Sequence, residues 1–168
     1  LAPRLGLPAR RLLKVGNWLG PVLVAAAAGG VRRLMLFGYQ GKLIKLAGGI
    51  FHTHHHLADG RAEVLTALAA LEGLAGDPLR RLHGAASVEE ALKGLEAEDP
   101  AFCARLLLRV AGAIEERSRA YLARHGQTGM QVGAVLFDRA RVVRVQGPHG
   151  CRQWQAFGGV AGARPGEP

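Results

Sequence analysis

Between Gly38 and Arg61 the chain reads GYQGKLIKLAGGIFHTHHHLADGR. This places two lysines, four histidines and the first carboxylate of the sequence, Asp59, in 24 positions. In an extended segment His52, His54 and His56 share one face; in a helix His52, His55, His56 and Asp59 do. Imidazole and carboxylate ligate zinc and similar divalent ions, so a His-cluster metal-dependent hydrolase is one reading. The HExxH pattern is missing. The plainer expectation is no protein-bound metal, with Asp59 capping the next helix. The same stretch opens on a glycine-bearing turn, Gly38-Tyr39-Gln40-Gly41-Lys42, and Gly16-Asn17-Trp18-Leu19-Gly20 is a second one. Turns that lead into helices offer unpaired N–H groups to anions, and Lys42 adds a full charge there. Neither turn is a P-loop or GxGxxG. Ser87 and Ser118 lie on no GxSxG elbow. Cys103 falls inside a helical pattern, and with Cys151 it forms no CxxC or disulfide framework. A reducing cytoplasm is the default location.

Charge is distributed unevenly. Residues 1–58 hold eight basic side chains and no acidic one, a formal +8. Residues 59–147 balance at 12 basic and 12 acidic, and the last 21 residues add +1. Such a one-sided field attracts phosphates, nucleic acid, anionic lipid or polycarboxylates. A basic anion-binding module for nucleic acid or a membrane surface is therefore a second alternative. Aromatic content of 5% argues against base-stacking platforms. The apolar run Trp18 to Ala28 follows basic residues as in a secretory signal, but Gly20 and Pro21 interrupt it and it is too short to span a bilayer. The chain begins with Leu1, which suggests a fragment or a processed chain.

The elements that must position these residues follow from periodicity and punctuation. Leu12 to Val15 reads as a short strand stopped by Gly16-Asn17. Asn17 is placed to cap a helix from Trp18 to Ala28, with Pro21 in its first turn. Val31 to Phe37 reads as a buried strand closed by Gly38, and Gly41 to Ala47 as a helix. Ile50 to His56 is a connection. A further helix carries Val64, Leu65, Leu68 and Leu71 on one stripe and is ended by Gly73 to Pro78. Ser87 and Glu90 form a capping box. Asp99-Pro100 opens a long helix with Phe102, Leu106, Val110 and Ile114 on one face, ending at Gly126. Met130 to Phe137 is apolar on both faces, like a central strand, and Val142 to Val145 returns as a hairpin. The fold class is then α/β: a Rossmann-like open sheet, mostly parallel, with helices on both faces and a C-terminal β-hairpin. Residues 1–147 form the domain, and 148–168, lacking periodicity, form a flexible tail.

The blocks LLKVGNWLG, LMLFGYQGKLIKLAGGIFHTHHHLADGRAEVLTALAAL and VGAVLFDRARVV together resemble the C-terminal half of the cobalt-precorrin-5B C(1)-methyltransferase family, the CbiD type. The likeness covers residues 11–146, and the family's N-terminal domain is absent from this sequence. It implies a truncated member of a family that performs S-adenosylmethionine-dependent C-methylation, converting cobalt-precorrin-5B to cobalt-precorrin-6A in anaerobic cobalamin biosynthesis. S-adenosylmethionine is then a co-substrate, and cobalt enters with the substrate. The implied partner is a corrinoid polycarboxylate, with no nucleic acid and no membrane; a homo-oligomer is compatible. Gly16, Asn17, Gly38, Gly41, Lys42, Lys45, Thr53, His54 and Asp59 carry the family pattern. Within it Gly16, Asn17, Gly38 and Gly41 are expected at the cofactor. Lys42, Lys45, Thr53 and His54 are expected at the substrate, and His54 and Asp59 are candidate bases. His55 and His56 rank lower. Ala140 stands where this hairpin often has glycine.

Overall fold

The computed structural model describes residues 11–54 and 59–156. Among the described residues the order is α1 Leu19–Ala28, β1 Arg33–Tyr39, α2 Gln40–Ala47, α3 Arg61–Leu71, α4 Gly76–Gly84, α5 Val88–Glu98, α6 Pro100–Arg124, β2 Gln131–Phe137, β3 Val143–Gln146 and α7 Pro148–Ala156.

The sheet has three strands in the order β1-β2-β3. β1 runs parallel to β2, with Arg33 opposite Gln131 and Tyr39 opposite Phe137. β2 runs antiparallel to β3, with an irregularity between Leu136 and Phe137. The expectation of a mostly parallel, Rossmann-like open sheet is therefore wrong, and α/β holds only in the coarse sense. Two causes are visible. Leu12 to Val15 forms no strand and joins no sheet, with Leu13 73% exposed. The connection from β1 to β2 also consumes α2 through α6, so most of the chain is spent on helices between two strands.

Alternation along β1 and β2 divides the core, and the register irregularity opposite β3 lets Val143 and Val145, two positions apart, take opposite sides. Leu36, Val132, Ala134, Leu136 and Val145 face the large cluster that includes Leu106, Val110 and Ile114 of α6. Met35, Phe37, Val135 and Val143 face the other way and pack against Trp154 of α7. Phe37 and Trp154 have ring centroids 5.8 Å apart. The reading of everything past 147 as a flexible tail thus fails for Pro148–Ala156. What holds this segment is long-range: Glu115 of α6, buried, accepts from the N–H groups of His149 and Gly150 and from Ala134 of β2. No periodicity in a nine-residue segment reveals a cap supplied by another helix.

The punctuation signals formed as local chemistry requires. Ser87 Oγ accepts from Glu90 N–H, and Asp99 Oδ1 accepts from Phe102 N–H. Each fills a donor that a helix start would otherwise leave open. Other expectations are corrected. Asn17 does not cap α1, whose N-cap is Trp18 without a side-chain bond, because its side chain is engaged by Thr53. Gly73 to Pro78 ends α3 but also begins α4, since proline in a first turn loses no needed bond. Leu71 is 70% exposed, and the buried face of α3 is Leu65 and Ala69. In the hairpin turn the left-handed residue is Arg141, at φ 68°, its guanidinium carbon 5.2 Å from the centroid of the Phe137 ring.

α7 approaches β2 so closely that only glycine fits at the contact. A Cβ on Gly150 would collide with the Ala134 carbonyl, which is backbone and cannot swing away. Gly150→Ala is expected to cost about 3 kcal/mol, the upper end for overpacking, read as a lowered midpoint in urea denaturation. Gly112, with open space around its Cβ position on α6, is the control: Gly112→Ala should be neutral or stabilising.

Candidate functional site

Three segments converge beside the start of α2. They are the irregular stretch before α1, α2 itself, and the connection from Ile50 through His54 to Asp59. The backbone stitches the first to the third: Thr53 N–H donates to the Asn17 carbonyl at 3.0 Å, Gly20 N–H donates to the Phe51 carbonyl at 3.2 Å, and Trp18 bridges His52. The Thr53 hydroxyl donates to Asn17 Oδ1 at 3.3 Å.

The two lysines of α2 then part company. Lys42 sends its ammonium to the Gly16 carbonyl at 2.8 Å, at an exposed position. Lys45, three residues on, is only 3% exposed. Its Nζ donates to the Thr53 carbonyl at 3.4 Å and lies 3.8 Å from Asp59 Oδ1. The sequence spacing suggested one lysine face; the fold uses one lysine at the surface and buries the other as a tie.

Asp59 faces Arg61 in a two-pronged pair, with Arg61 Nη2 donating at 2.7 Å. The Arg61 hydrogen bond holds the Asp59 carboxyl below its ordinary value, and the Lys45 charge adds to this. A carboxylate so stabilised is a weak proton acceptor at neutral pH. The same pairing raises Arg61.

Structure therefore brings together Gly16, Asn17, Lys42, Lys45, Thr53 and Asp59. His54 follows Thr53 on the same connection and is partly buried. Gly38 and Gly41 lie at the carboxyl end of β1 and the start of α2. Side chains there would meet Leu43 and the Tyr39 ring, respectively, so tight packing alone requires these glycines. Gly16 is different: space is open where its side chain would be. Because no strand precedes Gly16, the rule that ligands bind beyond strand ends applies to Gly38–Gly41 and not to Gly16–Asn17.

Sequence reasoning missed three contributors. Tyr39 ends β1, and its hydroxyl accepts from Arg139 Nε, just past β2, at 3.2 Å. Arg61 lies close enough to feel the same hydroxyl. Tyr39 and Arg139 meet only because β1 and β2 are neighbours across 100 positions of sequence. Beside Asp59 and Arg61 a depression of about 230 Å³ continues along Ala85, Ser87 and Val88. Gln40 and Glu89 form a buried pair, Nε2 to Oε2 at 3.1 Å, linking α2 to α5.

Nucleophilic chemistry gains no support. Burial pushes the Cys103 thiol up to about 11, and its Sγ lies 3.7 Å from the Leu92 carbonyl. Among the described residues no three His, Cys, Asp or Glu side chains converge as metal ligands. His55 and His56 lie outside the described residues. No described helix is long and apolar enough to cross a membrane.

Fold and site together define a helix-rich α/β domain in which a loop is tied by a buried lysine beside a surface lysine. The family described as "CbiD, C-terminal domain" matches residues 52–148. The chain belongs to that family. It is 59% identical over 158 residues, 94% of its length, to the cobalt-precorrin-5B C(1)-methyltransferase of Prochlorococcus marinus strain MIT 9313. It is 64% identical over 137 residues to the protein of that name from Synechococcus sp. strain CC9902, covering 82% of this chain and 38% of that one. The chain spans about two fifths of the length of the curated relatives it matches. No solved structure matches it.

Proposed function

We propose that this chain works as part of an S-adenosylmethionine-dependent methyltransferase that methylates a ring carbon of cobalt-precorrin-5B, giving cobalt-precorrin-6A in anaerobic cobalamin biosynthesis. The observation that carries the reading is 59% identity over 94% of the chain to a relative of that name. Physical support is independent of it. The substrate class bears several carboxylates around a macrocycle, and the first 58 residues hold eight basic side chains without an acid. Each partly exposed pairing adds only about 0.5–1 kcal/mol, so several must act together.

S-adenosylmethionine supplies an electrophilic methyl group on a sulfonium. The protein's task is to hold donor and acceptor carbon close and in line. We assign Gly38 and Gly41, at the N-terminal end of α2, and Gly16 and Asn17 beside them, to the border of that co-substrate. Lys42 pairs with a substrate carboxylate. Thr53 and Lys45 keep the connection bearing His54 in place. Where the acceptor carbon must lose a proton, His54 takes it, because Asp59 is committed to Arg61 and holds its charge too well. Cobalt arrives with the substrate, and the chemistry needs no metal of the protein's own. The cytoplasm, where the donor is made, is the compartment this implies.

Calorimetry of this chain with S-adenosylhomocysteine and with cobyrinic acid, separately, tests the reading. Heat is expected with the corrinoid, weakening as salt is raised. Absence of heat with either compound would overturn it.

A further inference from the structure

Trp18 is 63% exposed although it belongs to an ordered segment. A single exposed apolar side chain is ordinary. Here Leu12, Leu13 and Trp18 are all exposed within seven residues. The segment end that carries the indole is also clamped. Its backbone bridges His52, Asn17 is bound by Thr53 through both backbone and side chain, and the Gly16 carbonyl holds Lys42. The His52 ring stands edge-on to the indole, centroids 4.6 Å apart and planes at 63°. This contact fixes the indole plane and leaves much of its surface open. The other tryptophan, Trp154 of α7, is buried against the sheet and carries no such surface.

We propose that Trp18 is the stacking platform for the conjugated ring of the substrate, with Lys42 meeting a carboxylate at the ring's rim. The inference rests on the tetrapyrrole reading given above. Two properties of the surface select this occupant. A flat π-system matches an indole held in a fixed plane, since stacking gains most when no side chain must first be ordered. A polycarboxylate rim matches Lys42: an ammonium has three donors, and the bond to Gly16 uses one. Residues 1–58 carry no acidic side chain, and the nearby Asp59 carboxylate is already paired with Arg61 and Lys45. A neutral protein partner would explain the apolar part of this surface but not its charge.

Titration of cobyrinic acid, followed by the change in its visible absorption, compares the wild-type chain with Trp18→Phe and Trp18→Ala. Phe keeps a π-face and should bind within about 3-fold of wild type, whereas Ala should weaken binding about 10-fold or more. Thermal midpoints of both variants should stay within about 2 °C of wild type, since the side chain is mostly in water. Equal affinity of the Ala variant and wild type would overturn the platform, leave the methyltransferase reading standing, and reserve this face for a protein contact. A lowered midpoint in the Ala variant that accounts for its weaker binding would also overturn it. Failure of wild type itself to bind would remove both.

Discussion

Glu115→Ala is expected to lower stability by about 4 kcal/mol, because it strips the acceptor from three buried or part-buried backbone N–H groups at once. The Glu115 carboxylate is 2% exposed. It accepts from Ala134 N–H at 3.0 Å, Gly150 N–H at 2.7 Å and His149 N–H at 3.0 and 3.1 Å. Truncation leaves three backbone donors without acceptors, each costing about 1–3 kcal/mol before relaxation. The carboxylate also sits at the positive end of α7, a favourable place for negative charge. In a chain of this size the loss corresponds to a thermal midpoint lowered by about 10 °C. Glu115→Gln, which keeps one acceptor oxygen but turns an NH2 group toward a donor, should fall between the two. Hydrogen exchange gives the second readout: the amides of 148–156 should lose protection first, while those of α6 persist. A midpoint shift of less than about 3 °C in the Ala variant would show that something else anchors α7.

The second large effect separates the two lysines of α2. Lys45→Ala should destabilise the domain by about 2 kcal/mol, because it opens a cavity and leaves the buried Thr53 carbonyl without that donor. It should also loosen the 52–61 connection, measured as faster proteolysis there. Lys42→Ala removes an ammonium at an exposed position and should change the thermal midpoint by about 2 °C or less. It should nevertheless weaken corrinoid binding about 3- to 10-fold and flatten its salt dependence. If both variants lost the same stability, the division into a tie and a ligand contact would be wrong. Asp59 adds a small pH term to the same tie. Its carboxyl is depressed in the folded chain, so its contribution is complete above the unfolded value near 3.8 and disappears as pH falls through the folded one. With half its side chain in water, the contribution is at most about 1 kcal/mol.

Much of the candidate site could be read from the sequence because its parts are close in the chain. Lys42, Lys45, Thr53 and Asp59 span 18 positions. Their residue types and the glycine turn before them single out this stretch as a candidate site without any tertiary knowledge. The capping signals at Ser87 and Asp99 were legible for a related reason: a cap acts within three residues of itself. Likewise the apolar run from Met130 to Phe137 identified the central strand, Gln131–Phe137, which is buried on both faces.

Tertiary structure decided the rest, and in each case the deciding contact is long-range. Leu12 to Val15 has the apolar character of a strand, but the chain just after it is tied to Phe51, His52 and Thr53 and the run joins no sheet edge. Pro148–Ala156 is too short and polar to declare itself as a helix in the sequence, yet it forms one whose first turn Glu115, 34 positions away, supplies with an acceptor. Arg139 reaches Tyr39 across 100 positions through strand pairing. Which lysine is buried is set by the contacts that Thr53 and Asp59 make with Lys45. Sequence by itself determined the family, the charge asymmetry and the residue types gathered near Gly38–Arg61. The three-dimensional fold determined which of those side chains brace the loop and which remain at the surface, because burial depends on what the rest of the chain folds against.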